Sequence, residues 1–431
     1  MENIQRPILS ISLLVSNRID TIGKCMESLK PLLEGFPCEL VVVDTVGPEK
    51  TDGSIAVVRQ YTDKIYHFEW CDDFAAARNF GLEKCTGEWF LFMDDDEWFE
   101  NVGEIIEFFQ SGEYKNFKSA TYQIRNYTNF EGTDYHMAVL SRMVKRTPKL
   151  KFEGRIHEAF SELHLPCKDF SSYVHHYGYV YASEEEKLAH IRRNVVLLEK
   201  ELKLTPKHLR YRTQMARELA CFDNQRALDF CEETFRLCSE EKNSSYFQSL
   251  LFLVFRLYEA LGKTVAMAEE TYNELKQTYG FSETAENAIS FQMVRLCLIN
   301  NQPECAYPYA VTYFETLQYL MENKEIQQIQ MAADSYRYQA REARLEMLHF
   351  GAYSAWKAGE YAAAWDLYRQ MPWEDESFQN EEAFQLMLGL FQEHADVRTM
   401  LDILKRVMKN HSLMQLATVR KSIGDILALL K

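Results

Sequence analysis

The chain has 431 residues, with 48 Lys and Arg against 64 Asp and Glu, for a formal net charge of -16. A nucleic-acid binder needs a basic face to meet phosphates, and broad adhesion to anionic lipid needs the same, so the balance argues against both. A single core rarely grows beyond about 250–300 residues, so a chain this long and 47% hydrophobic is expected to hold two or three domains.

Met1–Pro7 run straight into the apolar Ile8–Val15, without the basic start and long apolar stretch of a signal peptide. No later stretch reaches the roughly 20 apolar residues of a membrane span, so no integral membrane segment is expected and the cytoplasm is the expected location. The ten cysteines form no CxxC pair and show no zinc spacing, which suits the reduced thiols of a cytosolic protein. Strand-like runs then follow at Ile8–Val15, Glu39–Asp44, Lys64–Phe68 and Trp89–Met93. Helix-length segments separate them at Thr21–Leu33, Ser54–Tyr61 and Phe74–Cys85. Apolar strands alternating with helices predict a parallel sheet in an α/β domain.

After Glu100 the pattern is more polar and more antiparallel. Ala120–Asn126 and Tyr135–Arg142 read as strands joined by the turn-rich residues 129–134. Ser183 followed by Glu186 predicts a capped helix start, and helical spacing continues to the C-terminus. Gly351–Tyr368 and Leu250–Leu275 resemble tetratricopeptide helix pairs, which stack into a solenoid, an irregular bundle being the alternative. The expected divisions are 1–105, the parallel α/β half; 106–182, its more antiparallel extension; and 183–431, an all-α tetratricopeptide-like region.

Ligands of an open α/β sheet bind at the carboxyl ends of the strands. Those ends carry Ser16-Asn17-Arg18, Asp44-Thr45 and Asp94-Asp95-Asp96. Three crowded carboxylates repel one another without a cation, and hard oxygen ligands favour Mg2+ or Mn2+ bridging a diphosphate. A solvated acidic turn is the plain alternative for the triplet. Asp44 can accept from a base or ribose, or simply form the turn before Gly47. Arg78 opens a helix of small residues where it can pair with phosphate, or sit on the surface against Asp72 or Glu83.

Residues 72–98, DDFAAARNFGLEKCTGEWFLFMDDDEW, together with 13–18 and 41–44, resemble the core of an inverting family 2 glycosyltransferase of the Rossmann-like GT-A fold. The helical extension resembles a subgroup with tetratricopeptide-like helices, which includes bacterial enzymes that glycosylate peptides, among them cysteine-modifying enzymes of bacteriocins. The resemblance implies a metal at Asp96, with Asp94 or Asp95 reaching metal or ribose, Asp44 at the base, and Val15 and Asn17 as first-strand nucleotide contacts. One departure is visible: Thr45-Val46-Gly47-Pro48-Glu49 replaces the small run expected after Asp44. In similar subgroup members, stretches like Gly154–Glu158 and His176–Tyr179 recur. Glu158 is the candidate base, with Glu153 and His157 as alternates. His176 is the candidate third metal ligand, whereas His175 reads as structural.

The implied reaction is metal-dependent inverting transfer from a nucleotide-sugar, UDP-linked ahead of GDP-linked, to a peptide side chain. An envelope polysaccharide or lipopolysaccharide acceptor is the alternative. The helical region is expected to bind the acceptor or pair two copies of the chain. A nucleotidyltransferase would want a Gly-rich loop after the first strand, and no glycine occurs there before Gly23. A non-catalytic peptide-binding scaffold is the reading from a different class, disfavoured by the joint presence of Asp44, Arg78, Asp94 and Asp96.

Overall fold

The computed structural model describes residues 6–47, 49–161, 165–330 and 335–429. Met1–Gln5 of the expected N-terminal lead and Pro48 of the run after Asp44 lie outside the described residues. The chain divides into two compact units, Met1–Leu204 and Thr205–Lys431.

In the first unit, β1 (Leu9–Val15), α1 (Ile19–Gly35), β2 (Cys38–Asp44), α2 (Ser54–Val58), β3 (Ile65–His67), α3 (Phe74–Lys84) and β4 (Trp89–Asp94) follow one another much as the apolar runs predict. Every residue of β1 is buried, as expected of a strand covered on both faces. β1 pairs in parallel with β2 and β4, and the register sets Val15 opposite Asp44 and Leu14 opposite Asp94. The polar strand ends are therefore level. Ile22, Met26 and Leu29 of α1 pack into the main core, while Ala75 and Leu82 of α3 share a second cluster with Val41 and Phe90. Gly81 explains how closely α3 lies on the sheet: a Cβ there would stand 2.5 Å from Ser12 Oγ and 2.9 Å from Val43 Cγ2.

The same sheet continues through β5 (Glu97–Phe99), β6 (Ser119–Tyr127), β7 (Tyr135–Lys145) and β10 (Cys167–His176), with the helix α4 (Gly103–Gln110) between β5 and β6 in the chain, and a small hairpin pairs β8 (Phe152–Glu153) with β9 (Ala159–Phe160). Strand order is β3-β2-β1-β4-β7-β6-β10-β5. β6 and β7 are antiparallel, as expected. β10 runs parallel to β6 and antiparallel to β5, so the second half is mixed rather than simply antiparallel. The helix α5 (Glu184–Leu204) starts at the expected cap: Ser183 Oγ accepts from Glu186 N at 3.1 Å, and Glu186 reaches back to Ala182 N. It belongs to the first unit, where Lys200 pairs with Asp72 and Glu201 accepts from Arg155 N.

The second unit is helical, with no strand among its described residues. Helices 245–260 and 265–279 stand where one helix pair is expected, and helices 341–357 and 361–370 where the other is. Tyr368, Trp373, Phe384 and Met387 are fully buried in the C-terminal core.

Candidate active site

β1, β2 and β4 bring their carboxyl ends together, and the three aspartates after β4 part company there. Asp95 is buried; its Oδ2 accepts from Ser16 N at 2.6 Å and Ser16 Oγ at 3.1 Å, and its carbonyl accepts from Thr21 Oγ1 at 2.9 Å. Burial, with Asp96 beside it, pushes its carboxyl up to about 7. Asp94 turns the other way. Arg78 Nη2 lies 2.5 Å from its Oδ1, and Arg142 Nη1 lies 3.2 Å from its Oδ2. Burial opposes charge on Asp94, but the two guanidinium groups outweigh it and hold the carboxyl well below its usual range.

Asp96 faces a different neighbourhood. Its carboxylate lies 3.6 Å from His176 Nε2 and 3.8 Å from Arg18 Nη2. His176 Nδ1 is 2.6 Å from Asn126 Oδ1. Gly178 closes the corner: a Cβ there would collide with His176 Nε2 and come within 3.0 Å of Asp96 Oδ2.

Beneath these groups lies a buried charge network. Arg78 donates through Nε to Glu158 Oε1 at 2.6 Å and through Nη1 to the Met93 carbonyl at 3.3 Å. Arg142 grips Glu97, which is fully buried, at 2.9 and 3.2 Å. Both guanidinium groups stack on Phe92, at 4.5 and 4.7 Å from its ring centre. Burial raises the carboxyl of Glu97 against the pull of Arg142. The network holds Asp94, Glu97 and Glu158 against two arginines, so Asp94 has both oxygens committed within the protein.

The remaining expected residues fall into place unevenly. Arg78 is buried and paired with Asp94 and Glu158, not lying on the surface against Asp72 or Glu83. Asp44 Oδ1 accepts from Val46 N and Gly47 N, each at 3.0 Å, so this oxygen forms the turn. Asn17 clasps the following loop, donating to Lys50 O and accepting from Asp52 N, and the Val15 carbonyl accepts from Thr45. Glu158 is anchored at the network, and His157 precedes it with a φ of 53°. Glu153 points elsewhere: it is exposed and 2.7 Å from Lys151 Nζ. His175 is spent on Tyr127 Oη at 2.7 Å and Glu100 at 2.8 Å, stacked on Trp98, as the structural reading expects. Arg155 pairs with Asp73 and Glu201 rather than Glu153.

Three contributors escape the sequence reading: Arg142, Glu97 and Asn126. Arg142 stands only one residue before the buried Met143 and Val144, a place where an apolar side chain fits the strand pattern. Glu97 follows the triplet and looks like more of the same acidic turn. Among the described residues no group of three or more His, Cys, Asp and Glu side chains is gathered as a metal cage. Asp96 and His176 nonetheless present an oxygen and a nitrogen to one space that Gly178 keeps open, and this donor pair fits a divalent ion.

Residues 10–175 match the sequence model of the family described as Glycosyl transferase family 2. The SPbeta prophage-derived glycosyltransferase SunS of Bacillus subtilis (strain 168) is 28% identical over 265 residues, spanning 59% of this chain and 60% of SunS. A TPR repeat-containing protein of Synechococcus elongatus is 26% identical over 181 residues, 40% of this chain and 42% of that protein. A solved structure of S. aureus TarS 1-349 in complex with UDP-GlcNAc aligns at 15% identity and a TM-score of 0.32, covering 74% of this chain and 91% of that one. No helix among the described residues is long and apolar enough to cross a membrane.

Proposed function

We propose that this chain, whose residues 10–175 form a glycosyl transferase family 2 domain, moves a sugar from a nucleotide-diphosphate donor to an acceptor nucleophile with inversion at the anomeric carbon. The observation that carries this reading is the division of labour at the end of β4. Ser16 locks Asp95, two arginines fix Asp94, and Asp96 is left facing His176 and Arg18.

Asp96 and His176 would hold Mn2+ or Mg2+, with Asp94 supporting the site from behind rather than supplying a free oxygen. When bound there, the ion neutralises charge on the departing diphosphate. Arg18, about half exposed, adds a positive group on the same side. Glu158 is the base of choice because Arg78 fixes its carboxylate within the same network as Asp94. It takes the acceptor proton as the acceptor atom bonds to the anomeric carbon. The carbon–oxygen bond to the diphosphate breaks on the opposite side, and the nucleoside diphosphate leaves. Val15, Asn17 and Asp44 shape the nucleotide end through the backbone and the 45–53 loop they hold.

A peptide acceptor suits the outer half of β7. β4 pairs with β7 only from Met143 to Lys145, while Tyr135, Met137, Val139 and Leu140 are exposed beyond it. An extended chain can use such an apolar, open-edged strand. The helical unit, with its tetratricopeptide-like pairs, is the second acceptor-binding or self-pairing element, in keeping with the TPR repeat-containing relative.

The test is hydrolysis of UDP- and GDP-sugars by the full chain in Mn2+, with nucleotide binding measured in parallel. Turnover of a UDP-sugar that falls at least about 100-fold in Asp96→Ala is expected. Failure to bind any nucleotide and to hydrolyse either donor class overturns the reading.

A further inference from the structure

We infer that Asn126 is a positioning residue that decides which nitrogen of His176 carries the proton, and so turns an imidazole lone pair toward Asp96. The inference deepens the transferase reading and rests on it for its functional consequence.

Asn126 and His176 are register partners on the parallel strands β6 and β10. Their side chains meet at 2.6 Å, Asn126 Oδ1 to His176 Nδ1. An amide oxygen only accepts, so this contact requires a hydrogen on Nδ1. A neutral imidazole then leaves Nε2 without a hydrogen, as an acceptor or metal ligand. Nε2 faces Asp96 Oδ1 at 3.6 Å, too far for a hydrogen bond between the two.

The space between them is kept open by the backbone: any side chain at position 178 would drive a carbon into Nε2 and crowd Asp96. The adjacent histidine supplies the contrast. His175 has both nitrogens engaged, one by a tyrosine hydroxyl and one by a carboxylate. Of the two neighbours, His176 alone has one nitrogen fixed by an acceptor and the other turned to a carboxylate across an open gap. A carboxylate oxygen and an imidazole lone pair sharing one space suit a cation, with Arg18 3.8 Å from the carboxylate's other oxygen, and the partner on the far ring nitrogen sets the ligand's orientation and basicity. Asn126 is that partner.

The test uses the full-length chain with ring-15N histidine, at pH 8 and without metal, and reads tautomers from long-range proton–nitrogen correlations. His176→Gln assigns the signal. The wild type is expected to show His176 with its hydrogen on Nδ1. Asn126→Leu is expected to lose that preference, and Asn126→Asp, which can only accept at this position, to keep it. In the same variants, Mn2+ affinity measured by electron paramagnetic resonance with UDP present should fall about 10–100-fold in Asn126→Leu and change only a few-fold in Asn126→Asp.

A wild-type His176 carrying its hydrogen on Nε2 overturns the inference, as does Asn126→Leu with tautomer and Mn2+ affinity unchanged. Absence of Mn2+ and UDP binding in the wild type counts against the transferase reading instead, while the metal-free tautomer still decides the role of Asn126.

Discussion

Each of the two units buries arginine, and the two do it differently. In the sheet unit, Arg142 is closed in with two carboxylates, Glu97 and Asp94, and shares Phe92 with Arg78. In the helical unit, Arg212 is also buried but donates hydrogen bonds to the hydroxyl of Thr234 and the carbonyl of Pro206, with a half-exposed Glu233 at its edge. One arrangement sets two buried guanidinium groups against three carboxylates; the other gives one buried guanidinium two neutral acceptors and a single carboxylate that faces solvent. The first costs desolvation that only mutual pairing offsets, which is why such networks mark sites more often than scaffolds.

The comparison breaks hardest at Arg142. Arg142→Met leaves Glu97 and Asp94 facing each other without their shared cation, and about 3–5 kcal/mol of stability should go, measured as a urea midpoint shift in the transition of the sheet unit. A loss below about 1 kcal/mol would mean that water or protonation relieves the pair, and that the network is not closed.

Two neighbouring aspartates sharpen the same point with opposite signs. Asp95 has its folded-state value raised to about 7, so the folded state holds the proton more tightly than the unfolded chain. Its contribution to stability is full at low pH, below the ordinary carboxylate range, and is lost as pH rises through 7. Asp95→Asn cannot titrate, so metal-free Asp95→Asn should exceed the wild type in stability at pH 8. The gap is on the order of 4 kcal/mol at most, given about 1.36 kcal/mol per pH unit. It should close toward pH 4. Asp94, held low by its arginines, acts in reverse: its contribution is present at neutral pH and is lost only in strong acid. A gap between Asp95→Asn and wild type that does not change from pH 4 to pH 8 would contradict the assignment.

A smaller change is expected from Arg212→Met. Thr234 keeps its own bond to the Phe230 carbonyl, and Glu233 can turn to water, so roughly 1–3 kcal/mol should be lost, with little dependence on pH between 6 and 8. If Arg212→Met costs as much as Arg142→Met, the two burials are alike and the contrast fails.

Much of the sheet unit was legible because its signals are local. Four apolar runs became β1 to β4 within a residue or two, and the polar residues closing them came out level because parallel register leaves little freedom. What stayed hidden depends on residues far apart in sequence. Nothing near Arg142 says that Asp94 and Glu97 lie 45 or more positions back across the sheet. Asn126 looks like a strand end until β10 arrives beside β6 fifty residues later. β10 gives little signal in sequence because Cys167, Phe170, Tyr173 and Val174 form neither an apolar run nor a strict alternation. Asp44 is legible in part: its Oδ1 forms the turn before Gly47 that its neighbours in sequence suggest, and its contact with a base or ribose stays a proposal.

The smallest effect is expected at Glu153, and it is what separates the two candidate bases. Glu153 and Glu158 are five residues apart, and sequence offers little to rank them. Glu153 is exposed on β8 beside Lys151, a surface pair whose removal is typically worth well under 1 kcal/mol. Glu158 is fixed by buried Arg78, beside Asp94. Glu153→Gln should therefore leave both stability and transfer rate within about two-fold of the wild type. Glu158→Gln keeps the shape and a hydrogen-bond acceptor for Arg78 but cannot take a proton, so transfer should fall about 100- to 10,000-fold while UDP binding is retained. Loss of UDP binding together with rate would recast Glu158 as a brace for the donor site. Loss of rate in Glu153→Gln would require the β8 hairpin to swing its edge toward the network, against the two bonds by which Asn79 pins Phe152.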